Sequence, residues 1–355
     1  MKKVLVLFGG VSSEHDISLI SAKSVIENIP EDKYEPILMG ITKDGQWYLY
    51  EGSVDALPED KWLDNKSEIT PAVISVNRAD HGIIVLGDTV KKIRVDVVFP
   101  VLHGKNGEDG TIQGMLQLAG IPFVGCDMIS SACCMDKVVT NTLADAAGIP
   151  QAKWLGASEN TYDEVKADLI KNVNEYLGYP VFVKPANAGS SVGVSKATDD
   201  ESLDIAIRKA FEEDSKLVIE EGISGVEVEC AVLGNDNPVA SVLGEVEACN
   251  EFYDFDAKYI NSASNLYIPA RLSQEKSDEV RKAAVNAYNA LGCSGLTRVD
   301  FFVRDSDGAV LLNEPNTIPG FTSISMYPKM FAASGIAYGD LIDKLLCLAC
   351  EKWEK

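Results

Sequence analysis

The segments Leu296 to Val303 (LTRVDFFV) and Ala309 to Asn316 (AVLLNEPN) carry two acids at positions where they could share one cation. Both segments read as strands, and Ser306-Asp307-Gly308 between them reads as a three-residue hairpin loop whose glycine suits a left-handed position. Pairing Asp305 with Ala309 and counting outward sets Asp300 opposite Glu314 and Arg298 opposite Asn316, with all four side chains on one face. Opposed like charges destabilise a sheet, so the Asp300/Glu314 pair calls for compensation. A hard divalent cation held by two carboxylates, an amide oxygen and phosphate oxygens would supply it, and Mg²⁺ is typically held this way with a nucleotide. The alternative is an exposed face of solvated carboxylates. The apolar set Val299, Phe301 and Val303 on the other face favours the metal reading, because it says the ribbon packs inside a domain.

A second candidate is the run Asn187-Ala188-Gly189-Ser190-Ser191-Val192-Gly193, which follows the strand-like VFVKP and can bend its backbone N–H groups around phosphate oxygens. Alone it would read as an ordinary mobile hairpin, but Lys184 on the preceding strand places a cation at its base. It is not a Walker A loop, since GxxxxGK[ST] is absent. It does match GxSxG through Gly189, Ser191 and Gly193. A serine hydrolase of that kind needs a histidine downstream, whereas His15, His81 and His103 all lie upstream. Gly9-Gly10 lacks the GxGxxG of a dinucleotide-binding turn, which sets oxidoreductase chemistry low.

Glu14 and His15 sit where a first strand gives way to its helix, the edge at which open sheets bind ligands, although an acid there also suits the helix dipole. His103, in LHGKNGEDG, ends another strand of the same region and could equally cap a turn. Lys137 has no local signal of its own. Lys258-Tyr259 could reach a site if the long polar connection Cys249 to Pro269 folds over as a lid.

These residues need elements to position them. At 355 residues the chain exceeds one typical domain. Lys3 to Phe8 reads as a strand covered on both faces, followed by a helix from about Glu14, with Ser13 and Asp16 resembling a capping box. Strands at Glu35 to Ile41, Val95 to Leu102 and Ile121 to Val124, with a helix Thr111 to Leu118, make residues 1–126 one open-sheet α/β domain. A second unit, 127–216, holds a helix Tyr162 to Leu177, a strand Pro180 to Val183 and the glycine-serine loop. A third, 217–355, is strand-rich and includes the carboxylate hairpin and a helix of about Glu275 to Leu291. The formal charge of −22 argues against sequence-independent nucleic-acid binding. No apolar run reads as a signal peptide or a membrane span, so the cytoplasm is the expected compartment. The eight scattered cysteines read as small buried residues; Cys347 and Cys350 have CxxC spacing but no partner pair for zinc.

Taken in order, FGGVSSEHDISL, LHGKNGEDGTIQGML, MDK, VFVKPANAGSSVGVSK, YDFDAKY, TRVDFF and NEPNTIPGFTSISMYP resemble the D-alanyl-D-alanine ligases of the ATP-grasp superfamily over essentially the whole chain. The resemblance implies a three-domain ATP-grasp fold. It implies an enzyme that phosphorylates one D-alanine carboxylate with ATP and lets the amine of a second D-alanine displace phosphate, making a dipeptide for peptidoglycan.

By motif match it implies Asp300, Glu314 and Asn316 as ligands of two Mg²⁺ ions, for which Mn²⁺ could substitute, and Lys137, Lys184, Lys258 and Ser191 around the ATP phosphates. It places adenine against Glu220, Glu221 and Ile223, and the ribose against Glu227. Glu14 would bind the first ammonium beside His103. Ser190 and Tyr259 would tie the loop and lid to Glu14, Arg298 and the Gly320 N–H would stabilise the oxyanion, and Ser325 and Met326 would hold the second carboxylate. A homodimer is implied as well. Two positions depart from the family pattern: Pro315, which must lie at a sheet edge or bulge, and Ile324, where a polar residue is usual. Some relatives join D-alanine to D-serine or D-lactate and commonly carry arginine where this chain has Met326; Met326 and the Lys258-Tyr259 pair favour D-alanine here, while the lid segment INSASNLYIPARL has some likeness to the D-serine type, which stays the alternative.

Overall fold

The computed structural model describes residues 1–247, 265–322 and 324–354. Of the expected lid, Cys249 to Pro269, the part up to residue 264, with Lys258 and Tyr259, lies outside them.

The first sheet is built on β1 (Lys2–Gly9), whose Val4 to Phe8 run is fully buried, as an apolar strand covered on both faces should be. After it come α1 (His15–Asn28), β2 (Tyr34–Ile41), β3 (Trp47–Tyr50), β4 (Ile69–Ile74), β5 (Gly82–Leu86), β6 (Val90–Arg94), β7 (Val97–Pro100) and α2 (Thr111–Ala119). The strand order is β6-β5-β4-β3-β2-β1-β7, with β1 parallel to β2 and β7 and the rest an antiparallel meander. Ile121 to Val124 makes only a bridge, Phe123 to Val98, instead of a strand. The expected capping box does not form either: Glu14 is the N-cap of α1, and no side chain caps it.

The second sheet is antiparallel. It follows α3 (Met128–Met135) and α4 (Lys137–Ala146) and contains β8 (Trp154–Ser158), β9 (Val181–Pro185), β10 (Ser195–Ala197) and β11 (Lys216–Glu221) in the order β10-β9-β11-β8. Helices α5 (Glu159–Asn172) and α6 (Asp200–Phe211) cover it through Tyr162, Leu169, Leu203 and Ile207. The periodicity that runs on to Leu177 is kept by a π turn, Val173–Leu177. Strand β11 pairs with β8 and β9, so this sheet extends to Glu221.

The third sheet, β14-β13-β12-β15-β16, uses β12 (Gly225–Gly234), β13 (Val239–Glu247), β14 (Asn265–Tyr267), β15 (Gly295–Arg304) and β16 (Val310–Asn316). Helix α7 (Gln274–Ala290) packs on one face, against Val228, Val299 and Phe301, and is N-capped by Ser273. Helices α8 (Met326–Ala333) and α9 (Tyr338–Trp353) complete the described chain. One continuous core joins Val4, Val6 and Phe8 of β1 to Leu233 of β12 and to Leu341 and Leu345 of α9, so the last helix belongs to the first sheet as much as to the third. Among the described residues no helix is long and apolar enough to cross a membrane.

Candidate active site

The expected carboxylate register is present, by a different route. At the turn, Arg304 N–H donates to Ala309 O at 2.9 Å and Gly308 N–H to Arg304 O at 2.8 Å, so the loop holds four residues, Asp305 to Gly308, and Arg304 takes the place assigned to Asp305. Gly308 is left-handed, at φ +70. A bulge then falls between Asp300 and Phe301, where Phe301 pairs with Leu312 but Asp300 with Glu314 and Arg298 with Asn316. The inserted residue restores the register that simple counting from the wrong start had reached. Pro315 lies next to this bulge on β16, the edge strand, where its missing N–H removes no ladder bond.

On this face Arg298 donates from Nε and Nη2 to the two Asp300 oxygens at 2.8 and 2.7 Å, and Asn316 Nδ2 donates to Asp300 Oδ2 at 3.0 Å. Glu229 of β12 is paired directly across from Asp300, and its Oε2 lies 3.2 Å from Arg298 Nε. Burial pulls the guanidinium pKa down, but the carboxylates of Asp300, Glu229 and Glu314 outweigh it and hold the group well above its ordinary value. The guanidinium thus faces three acids, and the Lys184 charge bears on Glu314 as well. The clustered carboxylates and an all-oxygen donor set fit a divalent ion at Asp300, Glu314 and Asn316. Glu227 lies on the same side of β12, two residues before Glu229.

The cations converge from the second unit. Lys184 projects from β9 and pairs with Glu220 of β11 at 2.6 Å; burial lowers its pKa, yet the Glu220 charge and hydrogen bond raise it on balance, so the ammonium persists. Lys137 opens α4 behind its N-cap Asp136, whose Oδ1 accepts from Val138 and Val139 N–H at 3.1 Å, and its Nζ donates to Ala188 O at 2.7 Å, within the glycine-serine loop. Ser190 and Ser191 are both left-handed, at φ 49 and 60, which turns successive backbone groups into a concave arrangement suited to an anion. Glu221 accepts from Lys153 N–H at 2.8 Å where β11 leads into Ile223, the segment assigned to adenine.

The first sheet contributes Glu14, buried at the carboxyl edge of β1, whose Oε1 accepts from Ser190 Oγ at 2.5 Å. His103 is also buried: Nδ1 lies 3.1 Å from Ile318 O and Nε2 3.1 Å from Ser21 Oγ. Burial disfavours its charge, but Glu108, Glu14 and the Ile318 carbonyl together raise its pKa. Gly104 beside it leaves room for Glu14, since a Cβ there would stand 2.5 Å from Glu14 Oε2.

At the far end, Ser325 is the N-cap of α8 and its Oγ accepts from Thr322 N–H at 3.0 Å, with Gly320 close by. Met326 is different: its side chain is buried in the shared core against Gly244, so only its backbone N–H at the helix start could meet a carboxylate. Ile324 is exposed. The sequence reading overlooked Glu229 and Glu108; the alternation Glu227-Val228-Glu229 along one strand was the available signal for the first.

Known proteins bear out the resemblance. Residues 3–126 match the D-ala D-ala ligase N-terminus family and residues 143–347 the D-ala D-ala ligase C-terminus family. The D-alanine–D-alanine ligase of Caldicellulosiruptor bescii is 51% identical over 351 residues, covering 99% of this chain and 95% of that protein. That of Acetivibrio thermocellus is 49% identical over 364 residues, covering 99% and 96%. Among solved structures, the VanG D-Ala:D-Ser ligase from Enterococcus faecalis superposes with a TM-score of 0.90 at 44% identity, covering 98% of this chain and 99% of that one. The D-alanine-D-alanine ligase from Coxiella burnetii gives 0.86 at 34%, covering 100% and 96%. With three sheets whose edges bring these acids, lysines and the glycine-serine loop together, the chain has the three-domain ATP-grasp fold and belongs to the D-alanine–D-alanine ligase family.

Proposed function

We propose that the protein joins two D-alanines into D-alanyl-D-alanine for peptidoglycan, using ATP and an acyl phosphate intermediate and releasing ADP and phosphate. The observation that carries this reading is the hydrogen bond from Ser190 to Glu14, which sets the acid suited to an amino-acid ammonium against the loop suited to a phosphate. A carboxylate and a γ-phosphate repel each other, so their reaction depends on fixed positive charge and alignment.

Lys137 and Lys184, with Lys258 from outside the described residues, would neutralise the phosphates, while Ser191 and the loop backbone close over the terminal one. Glu220, Glu221 and Ile223 would hold adenine, and Glu227 the ribose. Two Mg²⁺ ions, for which Mn²⁺ could substitute, would be held by Asp300, Glu314 and Asn316; when bound they supply charge neutralisation at the phosphates. Arg298 and the Gly320 N–H would meet the oxyanion formed when the second amine attacks. Ser190 and Tyr259 would hold the site closed around the first D-alanine, bound by Glu14 beside His103, which protects the acyl phosphate from water. Ser325 and the Met326 N–H would hold the second carboxylate. The reading includes a cytoplasmic homodimer and domain breaks near residues 126 and 216.

A second reading, D-serine as the second substrate, is favoured by the likeness to the VanG D-Ala:D-Ser ligase. Phosphate release with ATP, Mg²⁺ and D-alanine alone, then with D-serine or D-lactate added and products identified by mass, separates the two. No D-alanine-dependent release rejects both.

A further inference from the structure

Asp300 is asked to do two things at once. As the structure stands, both of its oxygens accept from Arg298, at 2.8 and 2.7 Å, and one also accepts from Asn316. As a metal ligand it would have to turn at least one oxygen away from that bidentate grip, and a guanidinium held by Asp300 alone would lose its aim when that happened. Glu229 changes this. It is 4% exposed, sits on the neighbouring strand in direct register with Asp300, and its Oε2 forms an ion pair with Arg298 Nε at 3.2 Å. Arg298 therefore has a second anion on β12, the strand that supplies none of the metal-binding set.

We infer that Glu229 is a positioning residue that keeps Arg298 in place while Asp300 is committed to the metal; this rests on the ligase reading above. Glu229 also balances the guanidinium charge, which would otherwise repel a divalent ion only one carboxylate away. Without it, Arg298 has Asp300 as its remaining strong partner on this face, and the metal must compete with that pair.

The test is equilibrium binding of Mn²⁺, followed by water-proton relaxation, to protein saturated with a non-hydrolysable ATP analogue. It is done for wild type, Glu229→Gln and Glu229→Asp, with thermal unfolding recorded for each. Partners that orient metal ligands typically contribute about 10- to 100-fold in affinity. Glu229→Gln is expected to weaken Mn²⁺ by about tenfold or more and to raise the Mg²⁺ needed for half-maximal rate by a similar factor. Glu229→Asp, which keeps the charge but withdraws it, falls between that variant and wild type. Unchanged Mn²⁺ affinity in folded Glu229→Gln overturns the inference, whatever happens to its unfolding temperature. If that variant does not fold, wild-type affinity in Glu229→Asp overturns it equally. A wild-type protein that binds Mn²⁺ with the analogue but releases no phosphate with D-alanine rejects the ligase reading and leaves the positioning claim to be judged on the binding data.

Discussion

The Ser190 hydroxyl donates to Glu14 at 2.5 Å across 176 positions of sequence, so the glycine-serine loop and the acid at the edge of the first sheet are fastened to each other directly. A hydrogen bond to a charged group contributes about 1.5–3 kcal/mol, which corresponds to about 10- to 100-fold in rate or affinity. Ser190→Ala is expected to lower kcat/KM for D-alanine by that factor. Initial-rate phosphate release checks it, and wild-type kinetics would remove the loop from the substrate's side of the reaction.

Gly104 is left-handed, at φ +69, and a Cβ there would lie 2.5 Å from Glu14 Oε2. Gly104→Ala carries a backbone cost of about 1–2 kcal/mol and must displace the Glu14 carboxylate. The KM for the first D-alanine should rise by about tenfold while affinity for an ATP analogue stays near wild type, because the segment from Glu220 proposed to hold adenine belongs to another sheet. Calorimetric titration of the analogue beside steady-state kinetics reads both halves of that statement.

His103 gives a pH signature. Its pKa is raised in the folded protein, since Glu108, Glu14 and the Ile318 carbonyl outweigh burial. A group raised on folding contributes stability that is complete below its unfolded value of about 6.5 and disappears as pH climbs through the folded value. The unfolding free-energy gap between wild type and His103→Gln should therefore be larger at about pH 5.5 than at about pH 9. Urea denaturation at the two pH values decides it; a gap that is flat with pH means folding leaves the imidazole's affinity for protons unchanged, and one that grows toward pH 9 means burial keeps it neutral.

Leu345 of α9 is fully buried in the core shared by the first and third sheets. Leu345→Ala should cost about 2–5 kcal/mol by the cavity it leaves. Native-state hydrogen exchange is expected to show β1 and β15 losing protection together while β9, whose core is separate, keeps its own. Equal losses in β9 would mean the cores are not independent.

Much of this was legible in local pattern. The unbroken apolar run of β1, the strand–loop–strand around the glycine-serine run and the acid hairpin all announce themselves through period and turn residues. The hairpin also shows the limit: the turn holds one residue more than glycine placement suggests, and a bulge between Asp300 and Phe301 compensates, which no side-chain pattern reveals. The β3 to β6 meander was missed because its strands are short and partly exposed, with weak alternation. Lys137 was unreadable locally because its place is set by Asp136 capping α4 and by a loop more than fifty positions away in space-filling contact with it. Met326 looked like a pocket residue, but the helix turns its side chain into the core.

The continuity of packing between the first sheet and α9 has a mechanical consequence. Two of the three lobes behave as a fixed frame, because parting them would expose Val4, Phe8, Leu341 and Leu345 to water. The second sheet, with α5 and α6, keeps an apolar interior of its own, while Cys134, Ala144 and Ile149 before it pack into the core of the third sheet. Any rotation of the second sheet against the frame would have to part Ser190 from Glu14, so the hydrogen bond between them ties the loop's position to that of the first sheet.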